Sequence, residues 1–172
     1  MAPLLVLVSG APGSGKTTVA REIARRLRLL HLERDGIWDG LRFTAARGAG
    51  DETAHGVGVW YEAIALLLRS GVSLVADGTL YRGWDEEHVR PLLELGDVVN
   101  VHCRTAAAMD RYRARLLRAG TPGHEAAALI ARITVDRARV EESLGLGCAA
   151  LEVDTSDGYD PPLEELVRLL RR

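Results

Sequence analysis

The sequence predicts an α/β fold in which a parallel sheet is covered by helices on both faces. Short, continuously apolar runs recur along the chain, and stretches with helical hydrophobic periodicity separate them. A run without polar alternation is what a strand buried on both faces requires. The first run, LLVLV at 4–8, also breaks directly into glycine, proline and serine before a helix-like pattern resumes.

Taken in order, the expected strands are LLVLV at 4–8, a weaker one at 30–33, VSLVA at 72–76, VVNVH at 98–102 and AALEV at 149–153. Helical periodicity, with Arg and Glu on the outer faces, marks 17–30, 55–70, 105–120, 124–144 and 163–172. With 172 residues, 47% of them hydrophobic, and no proline- or serine-rich linker, one well-buried domain spanning 1–172 is expected.

Lys16 is the only lysine; every other residue in the Lys and Arg total is arginine. A chain that uses Arg for surface charge keeps Lys where a compact point charge is needed. Gly10, Gly15, Lys16 and Thr17 fit G-x-x-x-x-G-K-[ST], placed after an expected strand and before an expected helix. Glycines let Gly10, Ala11, Pro12, Gly13, Ser14 and Gly15 fold into a concave nest of N–H groups. The free N–H groups of the following helix, at Lys16, Thr17 and Thr18, point at the same spot. Lys16 then reaches terminal phosphates, and the Thr17 hydroxyl is a magnesium ligand.

The formal net charge of −2 provides no overall pull toward a long polyanion, so small substrates are favoured over duplex nucleic acid. No apolar stretch reaches the length of a bilayer span. Cys103 and Cys148 lack metal-like or redox-like spacing, and the five histidines form no cluster, which points to a reducing, cytoplasmic setting.

In folds of this class ligands gather at the carboxyl ends of the strands. Asp35 and Asp39 follow the second expected strand, Asp77, Thr79 and Arg82 the third, and Arg111 and Arg115 the fourth. The i,i+4 spacing of Arg111 and Arg115 puts both on one helix face, able to clamp a phosphoryl group. Aromatic residues cluster around Asp35 and Asp77; Trp38 and Trp84, in loop-like stretches, are expected to line a pocket, whereas Trp60 and Tyr61 read as core. The polar, glycine-rich stretch RGAGDETAHGVG suggests an acceptor-side flap within about 36–60.

The segments GAPGSGKTTVARE, ERDGIW, LVADGTL and DRYRAR, in this order, resemble the small P-loop kinases, with closest similarity to the polynucleotide-kinase, zeta-toxin and chloramphenicol-phosphotransferase branch. The resemblance covers nearly the whole chain. It implies a three-layer P-loop fold with a five-stranded parallel sheet of order 2-3-1-4-5, ATP as donor, Mg²⁺, and an arginine-bearing lid. It also implies that Asp35 orients or deprotonates an acceptor hydroxyl, that Asp77 holds magnesium or contacts the acceptor, and that Arg111 and Arg115 belong to the lid. Thr155 and Ser156, in VDTSDGYDPPLEEL, match the segment bordering the base; the same residues also read as turn chemistry. The lid segment, about 116–126, is brief and carries no cysteines, unlike a large adenylate-kinase-type lid.

These readings lead to an ATP-dependent kinase acting on a hydroxyl of a small-molecule acceptor. The alternatives are a kinase of nucleic-acid 5′-hydroxyl ends and a nucleotide-dependent switch without an acceptor.

Overall fold

The computed structural model describes residues 2–45 and 52–171. The five apolar runs form strands β1 (Leu4–Ser9), β2 (Leu30–Glu33), β3 (Leu74–Asp77), β4 (Asp97–Arg104) and β5 (Ala149–Asp154). All neighbouring strands pair parallel, in the order β2-β3-β1-β4-β5. The helices are α1 (Lys16–Leu27), α2 (Arg34–Ala45), α3 (Glu52–Arg69), α4 (Asp85–Val89), α5 (Ala108–Arg118), α6 (Gly123–Val135), α7 (Arg137–Glu141) and α8 (Leu163–Leu170).

The central strand shows why its sequence carries no polar alternation. Leu5 and Leu7 enter a core built with Trp60, Ile64 and Leu68 of α3, whereas Val6 and Val8 enter a second core with Val19 and Ile23 of α1 and Leu166 of α8. Successive side chains of one strand thus feed opposite layers. Each such side chain, fully buried, contributes about 1.5–3 kcal/mol relative to exposure. Trp60 and Tyr61 are buried, as the sequence suggests.

The helices depart from expectation in three places. Residues 34–45, with Gly36 and Gly40, read as a loop but form α2, because Ile37 and Trp38 pack against the α3-side core and outweigh two poor helix formers. Residues 85–94 form α4 and a 3-10 turn at Arg90–Glu94, anchored by buried Val89 and Leu92. The expected continuous helix 124–144 breaks at Asp136 into α6 and α7; near the break the Thr134 hydroxyl donates back to Ile130 O, a bond that bends helices.

Of the expected flap, 46–51 lies outside the described residues, and its described parts belong to α2 and α3. The 116–126 segment comprises the end of α5, a turn with Gly120 at φ 84°, and the start of α6.

Candidate active site

The loop after β1 forms the cradle its spacing predicts. Gly10 and Gly13 have φ of 139° and 84°, and a Cβ there would collide with the carbonyl oxygens of Cys103 and Ala108. Only glycine lets this backbone lie so close to the ends of β4 and α5. Gly15, at φ 82°, leads into α1. The Ser14 hydroxyl is buried and has no hydrogen-bond partner among the described residues. Lys16 is 6% exposed. Burial pulls its ammonium below the ordinary lysine range; Asp35 and Asp77 oppose that shift and Arg115 reinforces it.

Asp77, 1% exposed at the end of β3, has both carboxylate oxygens engaged. Its Oδ2 accepts from Thr17 Oγ1 at 2.7 Å, and His31 Nε2 donates to its Oδ1 at 2.6 Å. Asp77 thus stands behind the phosphate loop and lines no part of the acceptor-side cavity described below. A hydroxyl and a carboxylate in contact beside a phosphate cradle form an oxygen-only donor pair that suits Mg²⁺.

A cavity of about 1050 Å³ opens between α2, the segment after β3, α5 and the α6–α7 junction. Asp35, Trp38, Asp39, Thr79 and Trp84 all line it. Trp38 does so from a helix, and Trp84 from the residue that precedes α4. Arg82 does not join them: it pairs with Glu142 and, at 4.0 Å, with Glu86, because the α7 end folds back over it.

The two α5 arginines separate in role. Arg115 lines both the acceptor-side cavity and an adjoining one of about 530 Å³ that contains Gly13 and Gly15. Arg111 lines only the second, and its guanidinium donates to Thr155 O at 3.0 Å and Ser156 O at 2.8 Å. Thr155 is buried, its Oγ1 donating to Ser14 O at 2.7 Å, so its side chain supports the phosphate loop from behind. Ser156 N–H donates to Asp154 Oδ1 at 2.8 Å, the turn chemistry weighed above. Thr18 is exposed on the first turn of α1.

A sequence profile described as an AAA domain matches residues 5–140. The chain belongs to the AAA domain family. Its fold is that of small P-loop kinases. The chain is similar to a candidate kinase from Chloroflexus aurantiacus (24% identity, 99% of this chain and 94% of that one, TM-score 0.74). It is also similar to a gluconokinase from Sinorhizobium meliloti (20%, 98% and 90%, 0.60). A third likeness is to the APS kinase CysC of Mycobacterium tuberculosis, seen with AMPPNP and APS (18%, 99% and 99%, 0.63). No curated protein matches the chain.

Several residues around the AAA-domain site escape a sequence reading. Asp85, fully buried, accepts from Tyr61 Oη at 2.6 Å, Tyr81 N at 2.6 Å and Arg34 at 3.2 Å. Arg34 also donates to Thr79 O at 2.9 Å, and its guanidinium lies 5.6 Å from the centre of the Trp60 ring. This pair pins the start of α2, and hence Asp35, to the segment after β3; breaking such a buried pair costs about 3–5 kcal/mol. His31, Arg42, Tyr112, Asp136 and Arg139 are further additions, brought in by register and helix packing. The signal for Arg34 is its position directly after the second expected strand, whereas Tyr81 belongs to the aromatic cluster that the sequence places around Asp77.

Proposed function

We propose that the chain is an ATP-dependent phosphotransferase that moves the γ-phosphoryl group to a hydroxyl of a small-molecule acceptor. The observation that carries this reading is Arg115, which lines both the phosphate-loop cavity and the larger cavity holding Asp35. Donor and acceptor compartments thereby meet at one cation. A switch protein needs the first compartment and has no use for the second. The fold shared with small kinases agrees with this reading.

In this mechanism the glycine loop and Lys16 hold the β- and γ-phosphates, and Asp35 aligns the acceptor hydroxyl. The orphan Ser14 hydroxyl and the glycine cradle fit a nucleotide, and Thr17 with Asp77 fits Mg²⁺. When bound, Mg²⁺ would neutralise charge on the terminal phosphates. The acceptor oxygen forms a bond to the γ-phosphorus as the bond to the bridging oxygen breaks. ADP leaves with that electron pair, and the hydroxyl proton passes to Asp35. Lys16 and Arg115 balance the charge on the transferring group. A carboxylate is a weak base toward an alcohol, so the main work of Asp35 is alignment and late proton capture. The α5–α6 turn serves as a short lid.

Asp35→Asn tests the assignment. Mg·ATP affinity by calorimetry should stay within about threefold, and transfer to an acceptor should fall about 10²–10⁴-fold. Unchanged transfer would remove Asp35 from the mechanism, and lost Mg·ATP binding would make it a metal-organising residue.

A further inference from the structure

The acceptor-side cavity has a charge balance and a wall chemistry that narrow what enters it. Arg34 is already neutralised by buried Asp85 at 3.2 Å. Arg115 faces the phosphate loop as well, so the donor's phosphates claim it. Among the described residues that leaves Arg42 and Arg139 as the cations of the wall, set against Asp35, Asp39 and Asp136. Arg139 in turn lies 3.8 Å from Asp136. An anion entering this space would lose its water shell and meet more acid than base.

The remaining wall is aromatic. Trp38 on α2, Tyr81 and Trp84 after β3, and Tyr112 on α5 approach from three sides. Aromatic faces stack on flat or puckered rings, while carboxylates accept hydrogen bonds from hydroxyl or ammonium groups. At about 1050 Å³ the cavity sits at the upper end of small-molecule pockets, larger than a short hydroxy acid needs. We propose that the acceptor is a polyhydroxylated ring compound that carries no anionic group. Both a glycoside and a nucleoside have this chemistry. This inference rests on the kinase reading above and narrows it.

The test separates binding from transfer. Trp38 and Trp84 line the cavity whereas Trp60 is buried, so quenching of tryptophan fluorescence, measured with saturating Mg·AMPPNP in the donor site, reports acceptor occupancy without transfer. The probes are matched: glucose and glucosamine against gluconate and glucose 6-phosphate, and adenosine against AMP. Saturable quenching should favour the neutral or amino-bearing members over their anionic counterparts by about tenfold or more. Trp84→Ala and, independently, Tyr112→Ala should weaken that binding about three- to tenfold, and Trp84→Phe should retain most of it.

An acceptor-dependent ADP-release assay on the same probes then tests the kinase reading separately. Neutral preference in binding without transfer would retain the pocket assignment and sink the kinase. Tighter binding of the anionic members, an oligonucleotide end preferred over its nucleoside, or no saturable quenching by any neutral probe would overturn the inference.

Discussion

Lys16 sits where two demands meet. The glycine cradle admits only a slim chain, and burial disfavours its charge until a phosphate arrives. A guanidinium fork is broader and cannot settle in a nest shaped for an ammonium. Lys16→Arg should therefore lower turnover about 10²–10³-fold even though the formal charge is kept. Wild-type turnover in that variant would detach Lys16 from the phosphates. The loop was legible because its geometry is local: a spacing of glycines followed by Lys-Thr fixes the backbone within a few residues. His31 and Asp85 were not, since His31 meets Asp77 through the pairing of β2 with β3, and Asp85 meets Arg34 across 51 residues of chain. The pairing of Arg82 with Glu142, 60 residues away, is hidden from a linear reading for the same reason. Thr155 reads as a polar turn residue until its hydroxyl is seen on Ser14 O.

Helix α5 carries two arginines that identical spacing cannot tell apart. Their surroundings differ: Arg111 holds the carbonyls of the turn after β5, whereas Arg115 spans the donor and acceptor cavities and lies 5.2 Å from the centre of the Tyr112 ring. Arg115→Ala should lower kcat about 10²–10³-fold with Mg·ATP affinity nearly unchanged, because the charge it meets develops during transfer. Arg111→Ala should act chiefly on the KM for ATP, through a loosened turn. Steady-state kinetics on both variants decides this, and equal activity in both would return the pair to a solvated helix face. The central strands β1, β3 and β4 were readable as apolar runs because both of their faces are buried. Helix α2 was not, since its two glycines argue for a loop and only the packing of Ile37 and Trp38 reverses that preference. The break at Asp136, which brings that residue to the cavity, likewise depends on packing.

A buried polar strut ties the two halves of the site together across the sheet. Ser9, the residue before the phosphate loop, contacts Asn100 at 3.1 Å and His102 Nδ1 at 3.0 Å; His102 Nε2 donates to Glu141 O at 2.9 Å, at the end of the helix that carries Arg139. Burial, the leading cause, holds His102 below the ordinary histidine value of 6.5 despite the Glu141 carbonyl. Below that value the unfolded chain takes up a proton that the folded chain refuses, so stability is full above it and declines as pH falls toward the folded pKa. Calorimetric Tm should drop as pH falls below about 6.5, with a shallower decline in His102→Gln; equal slopes would remove His102 from the acid response. Such a strut is invisible in a linear reading, and so is strand order, which periodicity does not encode and which here came from family resemblance. What the whole molecule does with ATP is open to one observation: phosphorus NMR of the chain incubated with Mg·ATP and the matched neutral acceptors. A new phosphomonoester resonance growing in step with ADP is the predicted result. ADP accompanied only by inorganic phosphate, with every acceptor, would contradict it.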